Sequence, residues 1–519
     1  IYLAALSWQP NWRPNSSTII IILLMLVAFI AYALTMNHQI AYISHQSVAI
    51  FVSLFLLTLA LMLFKQHQRL WLPILFFITT ISLASNVILS LNRFSYLTNT
   101  EYQTSVKSLN IADKTLKKDN SWYRVAQTFQ RTRGDAMMFD YYSGSHFSSA
   151  LPKTTPNFFG NFGQPDGDNY VVYSNGSILS DALLGMKYVL TPNSQDHGRA
   201  GDPSTHLIGY RPDTIKYTLQ SSKGTSNVLN NPYALPIAFS ANSKALKTPM
   251  LYNNPLQNQG NLWQDLSGDA TSPIHVANFQ QAIGHNVNAP TAITGAILTK
   301  VNKAQPAKLN LQFTPETNDS YYLTLGSGLP IKEFDLLINN KVITQFSSYR
   351  HTVLVNLVTK AKNKPQTVTI RFKNTQSLVL NNFTLYRVDN NQFQKNNQQL
   401  KQHPIKITKR NERLITGEIT TTKQQPLIMT TIPDAPGWHI TLDGRAVSPD
   451  KVANYFIAVN TMPGKHTIQF KYTPPLFWSG LFMSLFALLV LILGLILKKT
   501  LARKPVSYTH LTLPTTERV

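Results

Sequence analysis

"IPDAPGWHITLDGRAV" (residues 432–447) decides how this chain reads. Asp434-Ala435-Pro436-Gly437 is a turn cluster, since Pro presets one turn angle and Gly supplies positive φ. Trp438 to Leu442 alternates as a strand, and Asp443-Gly444 is a two-residue hairpin signal. The stretch is therefore a β-hairpin with an aromatic anchor. Downstream, "GKHTIQFKYTPP" (464–475) reads as one more strand, and it runs directly into "LFWSGLFMSLFALLVLILGLIL" (476–497). That segment is charge-free and long enough to cross a bilayer, which takes about 20 residues. A β-module is thus tethered to a membrane.

Working outward, three more charge-free runs lie at the other end: 17–35, 47–64 and 70–91. The connector "KQHQR" (65–69) is basic, as are Lys498, Lys499, Arg503 and Lys504 after the last run, while 36–46 has no Lys or Arg. Basic connectors stay on the cytoplasmic side. The expected fold is a polytopic α-helical membrane protein with a large extracytoplasmic α/β plus β-sandwich region between the third and fourth spans. It is expected to be a multi-pass protein of a plasma membrane. Residue 1 is Ile, no signal peptide precedes it, and the chain reads as the C-terminal part of a longer protein.

Composition narrows the partners. The 519 residues contain 47 Lys and Arg against 24 Asp and Glu, a formal net charge of +23, which favours anionic lipid or an anionic polymer. No nucleic-acid-binding signature accompanies the charge, so nucleic acid is not expected. There is no Cys, so no disulfide framework or thiolate metal site exists. The 13 His lack HExxH-type spacing, and neither a P-loop nor a Rossmann glycine pattern occurs, so no cofactor is expected.

Within the large region, 93–240 reads as mixed α/β, 241–294 as a connecting segment and 295–390 as a β-sandwich-like module. The Asn/Gln-rich 391–404 reads as a linker, and 405–473 as a second sandwich-like module. Residues 498–505 form a basic cytoplasmic end, and 506–519 resemble read-through sequence. "NNK" (339–341) and "DGR" (443–445) mark similar hairpins. The most site-like loop is "PNFFGNFGQPDGDNYVVY" (156–173). It offers flat apolar groups (Phe158, Phe159, Tyr170) beside polar ones (Asn161, Asp166, Asp168), the mixture that carbohydrate sites use. Trp438 reads either as a core aromatic of the last sandwich or as a sugar platform. Asp166-Gly167-Asp168 lacks the further acidic ligands of a calcium loop, whose twelfth position would be Ser177. Ser145 and His146 lie close in sequence with no evident acid partner.

Five stretches taken together resemble the YfhO-type bacterial membrane proteins: "WYRV" (122–125), "YYSGSHFSS" (141–149), "LLGMKYVL" (183–190), "NPYALPIAF" (231–239) and "DAPGWHITLDGRAV" (434–447). The resemblance implies a GT-C-like glycosyltransferase. It would move a sugar from a polyprenyl-phosphate (undecaprenyl-phosphate) donor onto a cell-wall polymer such as lipoteichoic acid. It also implies the enzyme and flippase that would supply the donor as partners, and a catalytic carboxylate upstream of this chain, so no catalytic residue is assigned here. A departing phosphate calls for Arg, whose planar fork binds two oxygens. Arg93, Arg124, Arg131 and Arg133 are the candidates. Two other readings stay open: a non-enzymatic membrane protein that binds wall polymer, and a lipid-linked sugar transporter. Asn86 alone is strongly polar within a span, which gives the transporter little support.

Overall fold

The computed structural model describes residues 15–36, 45–63, 68–92, 94, 96 and 98–501, except 131, 193–208, 224–225, 331 and 344–348. It divides into two units, 1–100 and 101–519.

The first unit holds helices α1 (Ser16–Met36), α2 (His45–Leu63) and α3 (Gln68–Leu91). Phe29 of α1 meets Phe51 of α2 with ring centroids 5.0 Å apart. Asn86 accepts from Ser90 Oγ at 3.2 Å, within α3. Leu24, Met25, Phe76 and Phe77 are exposed, as side chains facing lipid must be. Of the four expected spans, Ser16–Thr35, Pro73–Leu91 and Phe477–Lys499 are long and apolar enough to cross a membrane. The second expected span (47–64) falls in α2, whose apolar stretch His45–Ala60 is shorter. The helix itself continues through Leu63, and residue 64 of that expected span lies outside the described residues.

The second unit begins with α4 (Asn99–Leu116), which buries Leu109, Ala112 and Leu116 against Val125, Phe129 and Leu190. The α/β region then follows, with β1 (Arg124–Gln127), α5 (Asp135–Met138), β2 (His146–Phe147), α6 (Thr154–Asn161), β3 (Tyr170–Val171), α7 (Ile178–Leu183), β4 (Met186–Pro192), β5 (Thr218–Lys223), β6 (Ser226–Asn230), β7 (Ala238–Ala241) and α8 (Pro255–Ser267). Its main sheet runs β1-β4-β6-β5, with β1 parallel to β4.

The first sandwich uses β8 (Ile274–Ala277), β9 (Gln281–His285), β10 (Ile297–Thr299), β11 (Lys308–Phe313), β12 (Ser320–Leu325), β13 (Phe334–Ile338), β14 (Lys341–Val342), β15 (Val353–Val358), β16 (Gln366–Phe372), β17 (Ser377–Val379) and β18 (Leu385–Val388). Its sheets run β14-β13-β16-β11-β9 and β15-β12-β18-β8. β12 is buried on both faces: Tyr321, Leu323 and Leu325 enter the sandwich core, while Tyr322 enters the core shared with the α/β region. The supposed connecting segment 241–294 therefore supplies α8 and two sandwich strands.

Helix α9 (Asn390–Leu400) replaces the expected linker. Asp389 caps it by accepting from the Asn391 and Gln392 N–H groups, both at 3.0 Å. Phe393 and Leu400 lie on one face and are buried, with Phe393 5.2 Å from Trp263 of α8. The polar composition hid that stripe.

The second sandwich has β19 (Lys406–Asn411), β20 (Leu414–Thr421), β21 (Leu427–Pro433), β22 (Trp438–Leu442), β23 (Arg445–Val447), β24 (Asp450–Val452), β25 (Phe456–Asn460) and β26 (Gly464–Tyr472), followed by helix α10 (Phe477–Leu501). One sheet is β19-β20-β26-β22-β23; the other is β24-β25-β21-β7, so the α/β region lends a strand. Both expected hairpins form. Asn339 and Asn340 have φ of 48° and 67°, and Asp443 and Gly444 have 50° and 78°. Two central residues at positive φ give the tight turn that matches strand twist.

Candidate functional site

The loop after α6 caps the free edge of β15, where Leu354 N donates to Gly163 O at 2.9 Å. This junction assembles residues distant in sequence. Asp166 is fully buried. Arg350 donates to its Oδ2 from Nε at 3.1 Å and from Nη2 at 3.0 Å, and its Nη1 pairs with Asp168. His351 Nδ1 lies 3.0 Å from both Asp166 oxygens. A carboxylate accepts, so Nδ1 carries a proton in this pairing and Nε2 is left facing away from Asp166. Nε2 has no protein hydrogen bond among the described residues.

Two features build this arrangement. Gly160 lets the imidazole come close, since a Cβ there would stand 2.3 Å from His351 Nδ1. Asn161 Oδ1 accepts from Asn253 N at 3.0 Å, and Asn253 Oδ1 accepts from Thr352 N at 3.0 Å. That relay fixes Tyr252, whose 68% exposed ring stands edge-on to His351 with centroids 5.4 Å apart. Nearby, the Arg133 guanidinium lies 3.5 Å from the Tyr170 ring centroid. It has no carboxylate partner among the described residues. An exposed aromatic, an oriented imidazole and a cation held on a ring face are groups that a hydroxyl-rich, anionic ligand can use.

Of the residues expected from sequence, Arg133, Asp166, Asp168 and Tyr170 come together here, and Asn161 supports them from behind. Phe158 and Phe159 do not present faces to a sugar. They are buried, and Phe158 stacks on Tyr455 at 4.4 Å and meets Phe456 at 4.8 Å. Apolar area outweighed the loop's polar company, and the rings went to the core shared with the second sandwich. Arg124 is likewise not a phosphate clamp. It donates to Leu184 O at 2.7 Å, Thr431 Oγ1 at 2.9 Å and Thr431 O at 2.8 Å, and it packs over Trp122. Burial pulls its guanidinium down to about 10, while nearby tyrosines partly offset this. It is a strut between β1 and β21. Arg93 and Arg131 lie outside the described residues. Trp438 is half-buried against the second sandwich core, 5.0 Å from Tyr472. Ser145 Oγ accepts from Tyr173 N at 2.8 Å, and among the described residues it is not hydrogen-bonded to His146.

Sequence reasoning missed Tyr252, Arg350 and His351. The adjacent "YRH" (349–351) ahead of a strand was the available signal. Nothing local linked it to a loop more than a hundred residues earlier.

In sequence, helices long and apolar enough to cross a bilayer both precede and follow the β-rich region, as in a membrane protein. The chain belongs to the bacterial membrane protein YfhO family, whose model matches residues 1–484. No curated protein sequence matches it. Among solved structures it is similar to a GH26-CBM35 β-(1,4)-mannanase from Podospora anserina, at 13% identity and a TM-score of 0.17. That match covers 22% of this chain and 27% of the mannanase. It is also similar to a family 35 carbohydrate-binding module from Clostridium thermocellum, at 8% identity over 22% of this chain and 96% of the module, with a TM-score of 0.16. A Faecalibacterium prausnitzii β-glucuronidase matches at 9% identity over 37% of this chain and 38% of the enzyme, TM-score 0.16. Likenesses this slight say nothing about what this chain binds.

Proposed function

We propose that the chain works as part of a membrane glycosyltransferase that moves a sugar from an undecaprenyl-phosphate carrier onto an extracytoplasmic anionic polymer such as lipoteichoic acid. In that reaction the acceptor hydroxyl oxygen bonds to the anomeric carbon. The bond from that carbon to the carrier phosphate breaks, and the phosphate leaves with the electron pair. The hydroxyl proton passes to a base that no residue here is assigned to supply.

The observation that carries the reading is the Asp166–His351 pair beside the exposed Tyr252 ring. On this reading the site holds the acceptor: Tyr252 lies along a sugar or glycerol face, His351 Nε2 hydrogen-bonds a hydroxyl, and Arg133 meets a backbone phosphate. The test is made in the source cells, with the gene deleted and then restored as the unchanged sequence or as His351→Ala, Tyr252→Ala or Arg133→Gln. Sugar substitution on lipoteichoic acid is measured by NMR. Loss on deletion, return with the unchanged gene and poor return with the variants are expected. Unchanged substitution on deletion removes this acceptor and favours a protein that binds wall polymer without chemistry.

A further inference from the structure

The second sandwich has two unlike ends. β26 ends at Tyr472, and α10 begins at Phe477 after a short Thr473–Leu476 connection. Such a connection spans roughly 15 Å at most. The sandwich end that carries Tyr472 therefore cannot leave the neighbourhood of the bilayer that α10 enters. Register fixes what else lies at that end. Tyr472 pairs with Trp438, Leu414 pairs with Lys471, and Asn411 pairs with Leu414. The backbone closes the same edge: Tyr472 N donates to Arg413 O at 2.8 Å, and Thr473 N donates to Gly437 O at 2.9 Å.

Arg410, Arg413 and Lys471 are exposed there, with Glu412 as the acidic exception in the same turn. Trp438 and Tyr472 pack together beneath them. The apolar surface continues sideways. Met137 and Tyr142, 70% and 53% exposed, line a cavity of about 470 Å³ with Arg410, Glu412, Asp140 and Asp119, the last of these paired with Lys187. Phe477 and Trp478 follow at the head of α10, where aromatic rings settle at a membrane interface. Cations on a tethered surface next to exposed apolar side chains match an anionic headgroup layer.

We propose that this end of the second sandwich is a foot that docks on anionic lipid headgroups through Arg410, Arg413 and Lys471, with Met137 and Tyr142 dipping into the interface. It holds the sandwich at a fixed height above the membrane. The inference does not depend on the glycosyltransferase reading.

The absence of Cys makes the test direct. The full chain is prepared with Asn411→Cys at the foot or Lys423→Cys at the far end, about 25 Å up the strand by the rise per residue. Each carries a nitroxide in nanodiscs containing a nickel-chelating headgroup lipid. Discs rich in phosphatidylglycerol are compared with discs of phosphatidylcholine. Because Asn411 Oδ1 accepts from Arg413 N at 2.9 Å, Glu412→Cys serves as a second foot reporter. The expected result is strong relaxation at both foot positions in phosphatidylglycerol, weak relaxation at 423, and loss of the foot signal with added salt. Arg410→Gln, Arg413→Gln and Lys471→Gln each lower the docked-to-undocked ratio about fivefold. Relaxation at the foot that is equal in the two lipids, or no greater than at 423, overturns the proposal.

Discussion

Gly160→Ala is the sharpest perturbation of the candidate site, because its effect can be worked out before the experiment. Gly160 lies in α6, where Ala by propensity gains about 1 kcal/mol. A Cβ at that position would stand 2.3 Å from His351 Nδ1, 2.7 Å from Cγ and 2.8 Å from Asp166 Oδ1. Ordinary non-bonded contact is about 3.5 Å, so the ring must retreat by roughly 1 Å. The displacement falls on both partners of the hydrogen bond, and neither is the free end of a flexible chain. Overpacking of this kind costs about 1–3 kcal/mol. Asp166 would keep Arg350 but lose the His351 hydrogen bond, and a bond to a charged group contributes about 1.5–3 kcal/mol more. The net effect expected is a destabilisation of about 1.5–5 kcal/mol. Thermal unfolding of the full chain in nanodiscs, followed by Trp fluorescence, should show a fall of several degrees. Gly480→Ala, whose added Cβ meets nothing within 4 Å, should leave it unchanged. Sugar substitution in cells should fall further with Gly160→Ala than with a core variant of equal stability loss. An unshifted transition with full substitution would refute the close Asp166–His351 geometry.

Phe158→Ala should cost about 3–5 kcal/mol, read by the same unfolding assay, since it opens a cavity among Phe162, Tyr455 and Phe456. Were Phe158 a sugar platform, stability would not move. Arg211→Met should destabilise by about 3–5 kcal/mol, because Asp181 and Asp213, paired to it at 2.6 Å and 2.8 Å, are both buried. Burial already pushes the Asp213 carboxyl up, and Arg211 only partly opposes that. The Asp443–His466 pair should give the last hairpin a pH window. Burial pulls His466 down, but the Asp443 carboxylate and Met462 carbonyl outweigh it and raise the imidazolium. Its contribution is complete below the ordinary 6.5 and is lost as pH rises through the raised value. The His466 bond, with the Thr467 N–H, lowers Asp443, whose contribution is complete above the ordinary 3.8 and is lost as pH falls through the lowered value. Hydrogen exchange of the Thr467 amide should be slowest between those limits, by no more than about 1 kcal/mol at so exposed a pair.

Membrane helices and hairpins were legible because their signals are local. A charge-free run needs no partner to be recognised, and Asp443-Gly444 and Asn339-Asn340 carry their turn geometry in their own φ preferences. The loop 156–173 stood out in the sequence through Asp166, Asp168 and Tyr170, and the first two meet Arg350 at the junction with β15. The roles within it were not. Phe158 and Asn161 have the same local surroundings, yet one was drawn into a core built by residues near 455 and the other into a relay through Asn253. Helix α9 was missed because Asn and Gln outnumber its two buried anchors, Phe393 and Leu400.

The boundaries drawn from sequence fail for a related reason, and the failure bears on function. One continuous core contains Phe158 of α6, Trp263 of α8, Tyr322 and Leu354 of the first sandwich, Phe393 of α9, and Met429 and Phe456 of the second sandwich. β7 belongs by sequence to the α/β region but by hydrogen bonding to the second sandwich, pairing with β21. Arg124 fastens β1 to Thr431 across the same seam. Modules that share a core cannot swing independently, since separating them would expose that apolar surface. Asp166 and His351 come from two of these parts, and their bond tolerates displacement of only a few tenths of an ångström. Fusing the parts through a common core is what allows a site of that precision to stand at their junction.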